Sequence, residues 1–240
     1  MRAFLYLSLV KVILLSTTLV FGIVIGRYPF WTEAGPPLSQ SAVLPTLGIV
    51  TGEIFRLSTV IEETTDHQII PSAPSHDPLL SHIFQCATEV SDLMSQKDSP
   101  AREKSRINEV SALFEDALLE KIGDHPDFIC SFPKTKEGKT QRSGYPDLRV
   151  EHLPSGTVAY LDPKLFEETS IKSSFRTFYY EPSPERTKVT EDALHLLLGF
   201  PHDGKTREWT FGHPKLVDLS DLVVTLKTEF SASNRDLYTP

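Results

Sequence analysis

Apolar residues recur at helical spacing in two stretches of the chain. The first stretch runs from Pro78 to Ser95, and the second from about Pro100 to Gly123. In both, the apolar side chains fall three or four positions apart, which places them on one face of a helix. Glycine commonly stands where a helix stops, so Gly123 is expected to end the second one. The pattern therefore predicts two amphipathic helices that are separated by Lys97–Pro100.

The rest of the chain is dominated by short runs that favour strands. Phe128–Phe132 is the first such run, and residues 147–162 form two runs around a Pro-Ser-Gly turn, which predicts a β-hairpin. Asp192–Phe200 is apolar on both faces, as is typical of a central strand. The remaining expectations are helix or loop over residues 165–174, an extended run over 175–180, a turn at 202–204, and strands over 207–211 and 222–230. The order of elements predicts an α/β domain with a mixed central sheet flanked by helices.

The N-terminus carries a hydrophobic segment. Residues 3–25 are apolar apart from Lys11 and a few hydroxyl side chains, and a membrane-spanning helix needs about 20 such residues. The segment predicts an uncleaved signal anchor or, as the alternative, a cleaved signal peptide. The membrane is then a partner of this segment, and the predicted location is membrane-anchored or exported, in the envelope or outside the cell.

At 240 residues, the chain has room for one domain plus extensions. Four parts are predicted: a signal anchor or signal peptide at 1–26, a Pro-rich acidic linker at 27–78, a helical segment at 79–98 and an α/β domain at 99–240. Two cysteines, Cys86 and Cys130, allow one disulfide in an oxidising compartment or two unpaired buried thiols.

The overall charge of −8 does not indicate a nucleic-acid-binding protein. A local basic run nevertheless precedes Pro146, and Glu137 alone opposes it: Lys134, Lys136, Lys139 and Arg142. Such a loop is expected either to contact phosphates or to be solvated. Arg149 shares the strand face of Asp147, so it is expected either to face a phosphate as well or to form a surface ion pair.

The predicted hairpin brings two carboxylates and a lysine to one end. Asp147 opens the first strand and Asp162 closes the second, so the two are neighbours in an antiparallel pair. Side chains alternate along a strand, which directs Asp162 and Lys164 to one face. Paired carboxylates hold a hard divalent cation, and such a cation stabilises charge on a phosphate and activates a water. The three residues predict a metal-dependent phosphodiesterase, although both motifs are also compatible with ordinary turns.

The pattern Pro146-Asp147, a spacer and Asp162-Pro163-Lys164 resembles the PD-(D/E)XK (restriction-endonuclease-like) nuclease superfamily, over roughly residues 101–230. The resemblance implies a restriction-endonuclease-like core in which Asp147 and Asp162 bind Mg²⁺ or Mn²⁺ and Lys164 positions the attacking water. It also implies DNA, possibly RNA, as the substrate. Members often add a glutamate from the first helix, and we expect Glu109 here. Pro163 departs from the usual apolar residue, because proline removes a donor of the strand ladder.

The sequence is also compatible with a second function. The acidic total charge and the hydrophobic N-terminus also suit a non-catalytic, membrane-anchored envelope domain that has a nuclease-like core and binds a partner. The oligomeric state is not predicted. His195, inside the apolar run, is predicted to be a hydrogen-bonded strand histidine rather than a metal ligand.

Overall fold

The computed structural model of the chain describes residues 52–174, 178–183 and 185–227. The predicted N-terminal hydrophobic helix lies outside these residues. Within the described ranges, no helix is long and apolar enough to cross a membrane.

Three α-helices and seven strands make up the described structure. The helices are α1 (Leu57–Thr65), α2 (Asp77–Ser95) and α3 (Ile107–Gly123). The strands are β1 (Ile54–Arg56), β2 (Phe128–Ser131), β3 (Leu148–His152), β4 (Thr157–Glu167), β5 (Leu194–His202), β6 (Lys215–Asp218) and β7 (Val223–Thr225). Short 3₁₀ helices occupy Pro74–His76, Pro100–Glu103 and Glu168–Ser170.

Five strands form one mixed sheet in the order β2-β3-β4-β5-β6, and β1 pairs with β7 in a separate two-stranded sheet. The pairs β2–β3, β3–β4 and β5–β6 are antiparallel, whereas β4 and β5 are parallel. The helices flank this sheet, so the prediction of a mixed α/β fold is confirmed, and the architecture fits a restriction-endonuclease-like fold.

Each face of the large sheet carries its own apolar core because side chains alternate along the strands. On one face, Leu148 and Leu161 pack in a cluster with residues of α2 and α3, among them Phe114. On the other face, Tyr160 packs in a cluster with Leu57 and Ile61 of α1. The sheet is therefore held between α2 and α3 on one side and α1 on the other. Part of the segment predicted as linker thus carries a packed helix.

Strand β4 is longer than the sequence predicts. It continues through Lys164 to Glu167, so the expectation of helix or loop from residue 165 is wrong for the first three residues. Pro163 fits inside the strand for a geometric reason. The carbonyl of Leu161 faces β3, since it accepts a hydrogen bond from Asp147 N at 3.0 Å. Backbone groups two residues apart face the same neighbouring strand, so the backbone nitrogen of Pro163 also faces the β3 side. Pairing with β3 ends at Leu161, so the missing N–H costs no ladder hydrogen bond.

Other boundaries also differ from the prediction. Helix α3 begins at Ile107 rather than Pro100, because a 3₁₀ helix and an extended break at Lys104 come first. Residues 207–211 are not a strand and make one isolated bridge, from Phe211 to His202. His202 itself ends β5 rather than starting a turn. Strand β6 was not predicted. Cys86 and Cys130 are both free thiols.

Candidate active site

The hairpin of β3 and β4 brings Asp147, Asp162 and Lys164 together. Asp147 N donates a hydrogen bond to the carbonyl oxygen of Leu161, which directly precedes Asp162. The two acids therefore meet where the pairing of β3 and β4 ends. The ammonium of Lys164 donates to Asp162 Oδ1 at 2.7 Å and lies 3.6 Å from Asp147 Oδ2. The ammonium of Lys164 thus contacts both carboxylates.

The two carboxylates are largely removed from water. Asp162 is 2% exposed, and its Oδ2 is buried without a hydrogen-bond partner. Burial, and after it the charge and hydrogen bond of Asp162, raise the pKa of Asp147 to about 7, against the lowering effects of Lys164 and Lys188. Burial alone would lower the pKa of Lys164, but Asp162 and Asp147 outweigh it and raise that pKa. The site therefore holds two carboxylates close together with little exposure to water, and burial and their repulsion raise the pKa of Asp147.

These residues fit a divalent cation. A buried carboxylate oxygen without a partner is rare in proteins, and a hard cation such as Mg²⁺ binds oxygen ligands of this kind. A cation would also offset the burial and the repulsion from Asp162 that together raise the pKa of Asp147. Within the described residues, no group of three His, Cys, Asp or Glu side chains is arranged to hold a metal ion. Two carboxylates suffice for Mg²⁺, which usually keeps several waters and binds substrate phosphates.

Helix α3 approaches the site with Glu115 rather than with Glu109. Glu109 lies in the first turn of α3 and is exposed. Glu115 is half-buried; burial raises its pKa, the hydrogen bond from Arg142 lowers it, and the charge of Asp147 raises it again. The proximity of Glu115 to Asp147 was not predicted, because both glutamates lie off the apolar face and spacing alone does not tell them apart.

Lys188 is a second site residue that the sequence analysis missed. It is 2% exposed, and its ammonium donates to the carbonyl of Gln141 at 3.2 Å and lies 3.5 Å from that of Arg142. Burial lowers its pKa, although Asp147 and Glu115 oppose this effect. Lys188 thus holds the basic loop beside the acids. It lies outside any recognisable motif, so no local signal could have identified it.

The five predicted phosphate contacts divide into two groups. Arg149 is bound by Glu191 at 2.6 Å and by Glu151 at 2.8 Å, which is the ion pair left open by the sequence. Arg142 pairs with Glu115 and Asp116, and Lys139 pairs with Glu137. Lys134 and Lys136 are exposed and form no ion pair with another described residue. The structure therefore leaves the charges of Lys134 and Lys136 available for a ligand.

Comparison with known proteins gives two matches. The sequence model of the Type II restriction enzyme MjaV family matches residues 50–240. A relative named Type II restriction enzyme MjaV, from Methanocaldococcus jannaschii, is 33% identical over 199 residues, which cover 78% of this chain and 86% of the relative.

The matches contradict the predicted location. A type II restriction enzyme acts on DNA, so the prediction of a membrane-anchored or exported protein is wrong. That prediction came from the hydrophobic N-terminal segment, and residues 1–26 lie outside the described structure. The membrane as a partner, and the alternative of a membrane-anchored envelope domain, have no support among the described residues either.

The resemblance to the PD-(D/E)XK nucleases is confirmed by both matches, and the mixed sheet with its flanking helices agrees with it. The matched region includes the hairpin that carries both acids and the lysine. The chain therefore belongs to the Type II restriction enzyme MjaV family.

Proposed function

We propose that the chain is a DNA endonuclease that hydrolyses a phosphodiester with Mg²⁺ or Mn²⁺ held by Asp147 and Asp162. One observation carries the proposal: a single ammonium, that of Lys164, contacts both carboxylates, while Asp162 Oδ2 is buried and lacks a partner. Family membership supports DNA as the substrate. When bound, the cation would stabilise charge on the phosphate and lower the pKa of a bound water.

The protein residues hold and orient the reactants. Asp162 is buried and anchored by Lys164, so its free oxygen points to a fixed position. Asp147 binds a cation after losing its proton, because metal ligands must be deprotonated. The side chain of Lys164 is 31% exposed, which leaves its ammonium accessible to a water or a phosphate oxygen. Lys164 is therefore suited to position the attacking water.

A glutamate of α3 completes the acidic side of the site. Glu109 remains the prediction from sequence, but the exposure of Glu109 and the effect of Asp147 on the pKa of Glu115 favour Glu115. We assign Glu115 an outer role: its carboxylate faces Arg142 and would orient a water on the cation rather than bind the cation directly.

Lys134 and Lys136 are the proposed contacts to the DNA backbone. Their loop is anchored to the site region, because Lys136 N donates to Thr187 O at 2.9 Å, beside Lys188. The acidic total charge does not oppose this, since a bound cation reverses the local field at the two aspartates. Arg149, held by two glutamates, is proposed to have a structural role instead.

Cleavage of double-stranded DNA by the full chain in Mg²⁺ tests the proposal. The wild-type protein is expected to cut at defined positions and to be inactive in EDTA, and Asp162→Ala is expected to lose activity. Asp221→Ala is a matched control, because Asp221 is an exposed aspartate paired with Arg56. Cleavage that persists in EDTA, or full activity in Asp162→Ala, would refute the assignment.

A further inference from the structure

A buried aromatic layer lies beneath the two aspartates. Tyr145 stands two residues before Asp147, and Tyr160 stands two residues before Asp162 on the same face of β4. His195 of β5 lies between the two tyrosines: its ring centroid is 5.7 Å from that of Tyr145 and 5.2 Å from that of Tyr160. One side chain thus touches both segments that carry the acids.

The contact between His195 and Tyr145 is a specific hydrogen bond. Tyr145 Oη lies 2.7 Å from His195 Nδ1, Tyr145 is 8% exposed and His195 is fully buried. Burial lowers the pKa of His195 to about 3, so the ring is neutral at working pH. Its Nε2 has no partner, and the Tyr145 hydroxyl is therefore the polar contact that fixes the ring.

Tyr160 is held from the other side. Its hydroxyl accepts from Thr190 N at 3.1 Å, and Tyr160 is the register partner of His195 in the parallel pair of β4 and β5. The ring of His195 therefore lies between Tyr160, which is hydrogen-bonded to Thr190 N, and Tyr145, which stands two residues before Asp147. An apolar residue at position 195 would match the rest of β5 but would leave the Tyr145 hydroxyl without its buried partner.

We propose that His195 is a positioning residue that sets the placement of the two carboxylates for cation binding, through Tyr145 toward Asp147 and through Tyr160 toward Asp162. This inference rests on the proposed function, since it assumes that the two aspartates bind the cation. Partners that orient metal ligands typically contribute ten- to hundredfold to metal affinity. His195 does not touch the ligands, so its effect must pass through the tyrosines.

Calorimetric titration of the full chain with Mn²⁺ tests the inference with Tyr145→Phe, which removes the hydroxyl and keeps the ring. We expect an affinity about tenfold weaker than that of the wild type. Tyr180→Phe is the matched control: it removes a hydroxyl of the same layer, one that is hydrogen-bonded to Thr64 Oγ1 at 3.0 Å rather than to His195. Both variants lose a partly or fully buried hydrogen bond and should melt at similar temperatures, but Tyr180→Phe should keep wild-type affinity for Mn²⁺.

A second pair of variants separates positioning from packing. In His195→Asn, the side-chain amide stands near the place of Nδ1 and can still form a hydrogen bond with Tyr145, whereas the side chain in His195→Leu cannot. We expect Mn²⁺ affinity to be recovered in part by Asn and not by Leu. Wild-type affinity in Tyr145→Phe and His195→Leu would overturn the inference. Absence of Mn²⁺ binding in the wild type, or binding retained in Asp162→Ala, would instead refute the proposed function.

Discussion

Replacing Asp147 with asparagine is expected to stabilise the metal-free protein at pH 8. Asp147 is buried next to Asp162, and its pKa of about 7 in the fold compares with 3.8 for an ordinary aspartate. At pH 8 Asp147 is ionised in both the folded and the unfolded chain, and its ionisation costs more free energy in the fold. Asparagine has nearly the same shape and carries no charge, so Asp147→Asn removes this cost.

The magnitude follows from the pKa difference. Each pH unit corresponds to about 1.4 kcal/mol, so ionising Asp147 in the fold costs up to about 4 kcal/mol relative to the unfolded chain. The folded state binds the proton more tightly, so the stability that protonated Asp147 contributes is fully present below pH 3.8 and is lost as the pH rises to about 7. The advantage of Asp147→Asn should accordingly be near zero at pH 4, grow between pH 4 and 7, and stay constant above.

Urea unfolding in EDTA at pH 4, 6 and 8 measures this difference directly. Asp218→Asn serves as a control of opposite sign, because hydrogen bonds to Ser72 and Ser220 outweigh burial and lower the pKa of Asp218. That variant should be less stable than the wild type at pH 8. Saturating Mg²⁺ should stabilise the wild type, because a ligand that binds only the folded state adds stability. It should not stabilise Asp147→Asn, because this variant lacks one of the two carboxylates. Equal or lower stability of Asp147→Asn at pH 8 would refute the reasoning about the site's charge.

Three further outcomes are expected. Lys164→Met should abolish DNA cleavage in a plasmid assay while Mn²⁺ binding persists; loss of Mn²⁺ binding as well would contradict its role in positioning water. Lys134→Gln should weaken DNA binding and reduce the salt slope of log K by about 0.9, whereas Lys139→Gln, whose lysine is already paired with Glu137, should change little; equal effects would argue against the loop assignment. Glu115→Gln should lower kcat more than Glu109→Gln, and the reverse order would restore the prediction from sequence.

Local patterns carried most of what the sequence could predict. Period-two alternation and a Pro-Ser-Gly turn defined the hairpin, and the hairpin necessarily placed Asp147 beside Asp162. The apolar spacing of α2 and α3 was sufficient for both helices, because their stability comes from packing one face on the sheet. The predicted second strand ended at Asp162. Whether a strand continues through Pro163 depends on which neighbouring strands still pair with it, and that is a property of the sheet.

The site residues that were missed depend on contacts between distant segments. Lys188 reaches carbonyls 46 and 47 residues away, and Tyr145 meets His195 across 50 residues. Arg149 and Arg142 looked available for phosphate because their partners Glu191 and Glu115 are remote in sequence. The hydrophobic N-terminus misled the prediction of location, because an apolar run of about 20 residues is what a signal anchor requires.

The central claim is that Asp147 and Asp162 share one divalent cation with Lys164 beside it. Anomalous scattering from crystals of the full chain grown with Mn²⁺ tests this claim most directly. A peak is expected between the two carboxylates, within coordination distance of Asp162 Oδ2 and of an oxygen of Asp147, with the Lys164 ammonium outside the coordination sphere. A peak elsewhere, or a site that stays without Mn²⁺ at saturating concentration, would contradict it.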